Sequence, residues 1–268
     1  GGNIPSDISN VKLLSSTNYA KAVLTHDGYV YAWGNSSYGG SVSTDVSGII
    51  DLFANEKSFC ALQYNGKVTC WGDANTGGTT PTDISNVIQV YSNKNAFTAL
   101  MSNGKVHSWG TVTGSTPTSD NFVEVFSSND CFIGLKGNGT VSCWGSATSS
   151  LNTPPTDLSN VSIIYTNDKA CVALTSFGQL YNWGDATYGG TTDLTSLSDI
   201  DKIFNNNHAF ACIDNDKNLF CWGNTNYGGT TPDSSKNIVN VFSTRDAFTA
   251  IKTDNSIVCW GNSTTGGT

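Results

Sequence analysis

Three histidines and eight cysteines are the residues of this 268-residue chain best suited to metal binding or redox chemistry. The histidines, His26, His107 and His208, sit at unrelated positions and include no His-Glu-x-x-His pair. The chain also lacks a Gly-x-Ser-x-Gly nucleophile elbow and a phosphate-binding glycine loop. The sequence therefore predicts a protein with no metal site, no cofactor and no catalytic activity.

The cysteines form two groups around predicted hairpins. Four directly precede a tryptophan, namely Cys70, Cys143, Cys221 and Cys259, and four lie on the preceding predicted strand, namely Cys60, Cys131, Cys171 and Cys212. A two-residue turn would place Cys212 opposite Cys221, and a three-residue turn would place Cys60 opposite Cys70. Cysteines that face each other across a hairpin have the spacing that a disulfide requires. Small buried thiols are the alternative interpretation for most of them.

Three tyrosines share one position in the sequence. Tyr38, Tyr188 and Tyr227 each follow a Trp-Gly dipeptide at the same distance, where Thr76 and Thr265 stand in two other places. Aromatic side chains rimmed by Asn and Ser suit contact with a protein loop or a glycan, so these tyrosines are candidate binding residues. The alternative is that tyrosine is simply tolerated in this turn.

Composition limits the kinds of partner. The net charge is -8, only 13% of residues are charged, and no block of Lys or Arg occurs, which disfavours nucleic acid and anionic membrane surfaces. No apolar stretch approaches the roughly 20 residues that cross a bilayer. Abundant Asn and Thr suit an extracellular or cell-surface protein. The matches to the N-glycosylation pattern at Asn35, Asn138, Asn160 and Asn262 agree with that setting, although several are expected by chance at this Asn content.

All of these residues are positioned by a repeat. Every tryptophan precedes a glycine, at Trp33, Trp71, Trp109, Trp144, Trp183, Trp222 and Trp260, with spacings of 38, 38, 35, 39, 39 and 38 residues. A period of this length is typical of repeat architectures that include β-propellers. Seven such units use nearly the whole chain, so we expect one domain over residues 1–268. The constant position of the tryptophans favours packing between repeats over sugar stacking.

Within a repeat, strand-like runs alternate with turn residues. Asn65-Gly66 and Asn103-Gly104 separate two strands, and this dipeptide indicates a hairpin because both residues tolerate positive φ. Three strands per repeat are clear, and a short fourth strand near the Gly-Gly-Thr-Thr segment fits the pattern. The prediction is an all-β, closed seven-bladed β-propeller, with residues 1–16 pairing with 244–268 to complete the last blade. On a closed ring the three candidate tyrosines fall on one arc of one face.

The repeat unit also resembles a known family. The unit is similar to the regulator-of-chromosome-condensation repeat, whose members are seven-bladed propellers. The resemblance rests on Trp-Gly-Asp, followed by Gly-Gly-Thr-Thr-Pro, then Asn-Val, then a hairpin that ends in Trp-Gly. The short period most resembles the secreted bacterial β-lactamase inhibitor propeller, in which aromatic residues in the loop before the first hairpin strand make the contacts. The matching positions here are Tyr19, Lys57, Asn95, Asp130, Lys169, His208 and Asp246, of which only Tyr19 is aromatic.

These observations together predict a non-enzymatic binding or assembly module outside the cell or at its surface. Its expected partner is a protein or a glycan, contacted through loops on one face. Two alternatives remain open, a structural subunit of a surface filament or coat and a secreted enzyme inhibitor. The filament or coat alternative predicts that the chain is part of a larger chain or assembly.

Overall fold

A computed structural model of the chain describes residues 8–42 and 46–267. Seven three-stranded sheets are formed, one for each Trp-Gly dipeptide, with the strands of each sheet in chain order. In successive sheets the strands are β1 Val11–Ser16, β2 Ala20–Thr25 and β3 Val30–Gly34; β4 Ile49–Ala54, β5 Ser58–Gln63 and β6 Val68–Gly72; β7 Val87–Ser92, β8 Ala96–Met101 and β9 Val106–Gly110; β10 Phe122–Ser127, β11 Cys131–Lys136 and β12 Val141–Gly145; β13 Val161–Thr166, β14 Ala170–Thr175 and β15 Leu180–Gly184; β16 Ile200–Asn205, β17 Ala209–Asp214 and β18 Leu219–Gly223; β19 Ile238–Ser243, β20 Ala247–Lys252 and β21 Ile257–Gly261. The all-β prediction is confirmed.

Short 3₁₀ helices follow six of the Trp-Gly dipeptides. They are Ser36–Tyr38, Ala74–Thr76, Ser150–Asn152, Ala186–Tyr188, Thr225–Tyr227 and Ser263–Thr265. In the second repeat the Asp73 carboxylate accepts a hydrogen bond from the Asn75 N–H at 2.9 Å, and Gly77 ends the helix in the left-handed conformation with φ of 98°. This capping explains why the repeat reads Trp-Gly-Asp or Trp-Gly-Asn before its glycine pair.

The fourth strand expected near Gly-Gly-Thr-Thr does not form, since the sheets of the described residues have three strands each. In the second repeat the backbone N–H and carbonyl of Cys70 point away from the sheet, and both form hydrogen bonds with the Thr80 hydroxyl. The hydroxyl accepts from the N–H at 2.8 Å and donates to the carbonyl at 3.3 Å. Pro81 follows and has no N–H to offer a ladder. A threonine side chain therefore covers the outer strand where a fourth strand would have paired.

The hairpin turns differ from the expectation that both Asn and Gly take positive φ. Gly66 has φ of 75° while Asn65 does not have positive φ, and the Gln63 N–H bonds to the Lys67 carbonyl across the turn. This is a three-residue loop with one left-handed residue, which is the bulge type of hairpin. Where the glycine is replaced, Lys217 and Asn255 take the same conformation, with φ of 66° and 65°.

The tryptophans pack between consecutive repeats. Trp71 stacks on Phe59 with ring centroids 5.3 Å apart, and its indole N–H donates to the carbonyl of Gly39, in the preceding repeat, at 3.0 Å. A side chain at Gly39 would meet the Phe59 ring at 2.6 Å, which explains the glycine. Equivalent bonds join Trp109 to Gly77, Trp183 to Leu151 and Trp260 to Gly228. The predicted packing role of the tryptophans is confirmed.

The chain divides into two compact units. The N-terminal unit comprises Gly1–Phe132 and Trp144–Ala147, and the C-terminal unit comprises Ile133–Cys143 and Thr148–Thr268. The boundary runs through the fourth sheet. The predicted single closed domain stays a prediction, and the segment expected to close it includes residues 1–7 and 268, which lie outside the described residues.

Candidate functional site

In five of the repeats two loops come together at one end of the sheet. The first loop, between the first and second strands, carries a small polar residue whose side chain donates to the backbone carbonyl of the last residue of the 3₁₀ helix. In the sixth repeat, Asn206 donates to the Tyr227 carbonyl at 2.7 Å and accepts from the N–H groups of His208 and Ala209 at 2.8 Å. The same bond links Thr17 to Tyr38, Asn55 to Thr76, Asn167 to Tyr188 and Thr244 to Thr265. These bonds hold the candidate tyrosines beside the first loops.

In the C-terminal unit this arrangement forms a cluster that we call the Tyr-His-Tyr patch, consisting of Tyr188, His208 and Tyr227. The His208 ring stacks on Tyr227 with centroids 4.2 Å apart and lies 5.4 Å from the Tyr188 ring. The Lys169 ammonium lies 5.2 Å from the centre of the Tyr188 ring, within the range of a cation–π contact. All three patch residues are half-buried, so their rings are held in place while part of each remains open to solvent.

A carboxylate fixes the orientation of His208. Its Nε2 lies 3.0 Å from Asp246 Oδ1, and both side chains are largely buried, with 14% and 13% of their surface exposed. The Arg245 Nε also approaches Asp246 Oδ1, at 3.4 Å. His208 Nδ1 is buried and has no hydrogen-bond partner among the described residues. Of the two ring nitrogens, Nε2 is therefore the one that faces the Asp246 carboxylate as a donor.

The N-terminal unit has a smaller group of the same kind. Tyr38 lies 4.8 Å from Tyr19, ring centre to ring centre, and the Lys57 ammonium lies 5.9 Å from the Tyr38 ring. Tyr19 is 59% exposed and forms the outer edge of the pair. An aromatic residue of the 3₁₀ helix is thus flanked by first-loop residues, as Tyr188 is flanked by Lys169 and His208.

The two sets of residues singled out from the sequence are therefore neighbours. The turn tyrosines contact the first-loop positions that matched the contact residues of the inhibitor-like relatives, namely Tyr19, Lys57, Lys169 and His208. The structure brings Tyr188 and Tyr227 together through His208, whereas Tyr38 lies in the other unit, and the single arc of three tyrosines stays a prediction. The sequence analysis proposed only the turn tyrosines as binding residues and named His208 as a matching first-loop position. The signal that could have joined them is the small polar residue that begins every first loop.

The candidate disulfide pairs have different outcomes. Cys60 lies directly opposite Cys70, with the two Sγ atoms 2.8 Å apart as thiols. Cys212 is opposite Phe220, and Cys221 is opposite Ala211, so the expected facing of Cys212 and Cys221 is wrong. The reason is the hairpin, since a loop longer than two residues moves the register by one. Burial, and then the nearby Asp214, raises the pKa of Cys212 to about 12, and burial followed by Cys212 does the same for Cys221.

The four glycosylation candidates lie at turns. Asn35 and Asn262 cap 3₁₀ helices, and the Asn138 side chain accepts from both the N–H and the hydroxyl of Thr140. Asn160 has φ of 54° just before β13. Asn35, Asn138 and Asn160 are exposed and Asn262 is half-buried, and glycan attachment at all four stays a prediction.

Across residues 8–42 and 46–267, no group of three or more His, Cys, Asp or Glu side chains is placed to hold a metal ion. Within the same ranges no helix has the length and apolarity needed to cross a bilayer.

Comparison with known proteins gives matches at the level of structure. No family model matches the sequence, and no curated protein matches it. Among solved structures, the ectodomain of the receptor kinase CR4 from Physcomitrella patens is 18% identical, with a TM-score of 0.57 over 95% of this chain and 72% of that one. Prp20p from Saccharomyces cerevisiae is 17% identical, with a TM-score of 0.52 over 95% and 85%. Human WBSCR16 is 15% identical, with a TM-score of 0.52 over 81% and 78%.

These likenesses bear on the fold. Prp20p is the yeast RCC1 protein, the regulator of chromosome condensation whose repeat this sequence resembles. The chain accordingly has the fold of an RCC1-like repeat β-propeller, as predicted. At identities below one fifth, the likeness carries no further statement about activity.

Proposed function

We propose that the chain is a non-enzymatic binding module that contacts a protein partner through its 3₁₀ helices and first loops. The Tyr-His-Tyr patch is the observation that carries the proposal. Its residues are half-buried, their rings contact one another, and Asn167 and Asn206 donate to the backbone carbonyls of Tyr188 and Tyr227. A partner that covers these rings therefore gains aromatic contact without ordering flexible side chains, which lowers the entropic cost of association.

The chemistry around the patch favours a protein over other partners. Tyrosine and arginine are enriched where protein interfaces carry most of their binding energy. The rim mixes Lys169 and Arg245 with Asp246, which suits the varied side chains of a protein surface better than the uniform charge of a nucleic acid backbone. The net charge of -8 supports the same choice.

Structural neighbours support the general role. The solved structure of Prp20p is described together with its binding properties to Gsp1p and histones, and the CR4 structure is a receptor ectodomain. By analogy with the ectodomain, and from the composition, we place this module outside the cell or at its surface. A filament subunit would show self-association, and a secreted inhibitor would show a tight complex with a soluble enzyme, so partner identification separates the three roles.

The test begins with site-specific photo-crosslinking. A photoreactive amino acid at Thr187, exposed on the 3₁₀ helix beside the patch, is compared with one at Phe177, which is 75% exposed at the hairpin tip of the same sheet. The two positions lie at opposite ends of six-residue strands, roughly 20 Å apart. We expect a discrete protein adduct from Thr187 and none from Phe177.

Affinity for the identified partner then tests the patch itself. Replacing Tyr188 and Tyr227 with Ser together should weaken binding by about 30-fold or more, because interface hot spots are worth about 2 kcal/mol or more. Phe177→Ser is the matched control and should leave affinity within about threefold. Unchanged binding by the double variant, with its circular dichroism spectrum intact, would refute the assignment of the patch.

A further inference from the structure

One repeat position places two side chains opposite each other across the hairpin in six of the sheets. The residue before the tryptophan faces the middle strand, giving the pairs Ala22 and Ala32, Cys60 and Cys70, Thr98 and Ser108, Val172 and Asn182, Ala211 and Cys221, and Thr249 and Cys259. Where both members are polar, they touch. The hydroxyl oxygens of Thr98 and Ser108 are 2.7 Å apart, and Thr249 Oγ1 is 3.3 Å from Cys259 Sγ. Among these pairs, two thiols meet only in the second sheet.

The backbone geometry of that pair suits a covalent link. The N–H and carbonyl of Cys70 point outward to the Thr80 hydroxyl, so Cys60 and Cys70 are a non-hydrogen-bonded pair of the ladder. In such pairs the Cα atoms are about 4.5 Å apart and the side chains are closest. This falls within the roughly 4.4–6.8 Å between Cα atoms that disulfides span. The Sγ atoms are 2.8 Å apart, within about 1 Å of the S–S distance of a disulfide.

We propose that Cys60 and Cys70 are a redox modification site that forms a cross-strand disulfide between β5 and β6. In the sixth sheet the register separates the other candidate pair, because Cys212 faces Phe220 and Cys221 faces Ala211. Cys60 is fully buried and Cys70 is 7% exposed, so the link forms during folding or when the hairpin opens.

The chemistry needs a small-molecule disulfide as oxidant, for which glutathione disulfide serves. The thiolate of Cys70, the more accessible of the two, attacks one sulfur of the oxidant and releases a glutathione thiolate. The thiolate of Cys60 then attacks the Cys70 sulfur of this mixed disulfide, which forms the Cys60–Cys70 bond and releases the second glutathione. Two protein thiols are oxidised, one glutathione disulfide is reduced to two thiols, and the two protons pass to the released thiolates or to solvent. Burial and contact with Cys70 raise the pKa of Cys60 in the folded hairpin, so its thiolate becomes available when the hairpin opens.

The experiment uses the full chain, refolded from urea in glutathione redox buffers and then denatured and alkylated. Under oxidising buffer we expect the number of alkylated cysteines to fall by two, and peptide mapping without reductant to give a linked peptide containing Cys60 and Cys70. The oxidised protein should melt about 5–10 °C above the reduced one, because the link constrains the unfolded hairpin.

Two variants keep the proposal open to refutation. Cys60→Ala and Cys70→Ala introduce the residue that occupies the same position in the first sheet, as Ala22 and Ala32, so both should fold. Each should abolish the linked peptide and the difference in melting temperature between oxidising and reducing buffers. Full alkylation of the wild-type chain after oxidising refolding, or a link that persists in either variant, would overturn the proposal.

Discussion

Within the described part of the chain, Trp222 lacks the hydrogen bond that four other tryptophans make to a carbonyl of the preceding repeat, and a matched pair of substitutions tests why. Its indole N–H is buried and has no hydrogen-bond partner among the described residues, whereas that of Trp260 donates to the Gly228 carbonyl at 3.1 Å. The carbonyl that would serve Trp222 belongs to Gly189, and it accepts instead from the Asn182 side chain at 2.7 Å. Asn182 therefore donates to the kind of carbonyl that accepts from the next tryptophan in four other repeats, and we expect the two donors to compete.

The expected magnitudes follow from this difference. Trp222→Phe and Trp260→Phe remove the same atoms from similar sites, since the indoles are 4% and 6% exposed and stack on phenylalanines at 5.5 and 5.3 Å. Loss of packing is therefore common to both. Trp260→Phe in addition leaves the Gly228 carbonyl without its donor, at about 1–3 kcal/mol, while Trp222→Phe removes an N–H that was already unpaired. We expect Trp260→Phe to destabilise the protein by about 2 kcal/mol more.

Urea unfolding followed by circular dichroism measures the comparison, because removing a tryptophan would alter a fluorescence signal. A difference of about 2 kcal/mol corresponds to roughly 4–8 °C in melting temperature for a protein of this size. If both variants lose the same free energy of unfolding, and the slope of that free energy against urea concentration is unchanged, the indole hydrogen bonds do not stabilise the packing of the repeats.

A double-mutant cycle tests the competition by Asn182 directly. Asn182→Ala, which introduces the residue found at Ala32 in the first repeat, frees the Gly189 carbonyl to accept from Trp222. Its cost should be smaller in the wild-type chain than in the Trp222→Phe chain by about 0.5–1 kcal/mol, since only the former can form the new bond. Additive effects within about 0.3 kcal/mol would show that Asn182 and Trp222 do not compete.

Two further predictions concern the hairpin turns. Gly139→Ala and Gly178→Ala both place a side chain at positive φ, at about 1–2 kcal/mol, but only at Gly139 would the new Cβ meet backbone, 2.7 Å from the Asn160 Cα. Gly139→Ala should therefore lower the free energy of unfolding, measured in urea, by about 1–3 kcal/mol more than Gly178→Ala does. Equal losses would show that the turn at Gly139 shifts without strain to accommodate the new Cβ. At the last hairpin, hydrogen bonds from the Ser256 side chain and N–H lower the pKa of Asp254. The stabilisation from this carboxylate is present above its unfolded pKa and is lost as pH falls through the folded value, and an NMR titration of Ser256→Ala should show the pKa moving up toward the ordinary range.

The repeat and its strands could be predicted because each signal is local. The Trp-Gly period identified seven equivalent units, and the alternation of strand-like runs with turn residues identified three strands in each. The turn type could not be predicted in the same way. Asn65-Gly66 suits a two-residue and a three-residue loop equally, and the hydrogen bond between Gln63 and Lys67 selects the longer one. One residue of loop length then decided that Cys212 does not face Cys221.

The candidate site was predicted in part. The equivalence of Tyr188 and Tyr227 was readable because they hold the same place in neighbouring repeats, but His208 between them was not, since histidine occurs at that position in a single repeat. The position of His208 beside Tyr227 depends on Asn206. The Asn206 side chain accepts a hydrogen bond from the Ala209 N–H in the first loop and donates one to the Tyr227 carbonyl at the end of the 3₁₀ helix.

The sequence by itself determined the elements, because hydrophobic alternation, capping residues and glycines act within one repeat. Only the tertiary structure decided which side chains of different segments share acceptors, as Asn182 and Trp222 show at Gly189, and which stack, as in the Tyr-His-Tyr patch. The physical reason is that a hydrogen bond or a ring contact is set by distances of a few ångströms between residues of different strands, helices and loops, many of them in different repeats. Such distances follow from the packing of one repeat on the next.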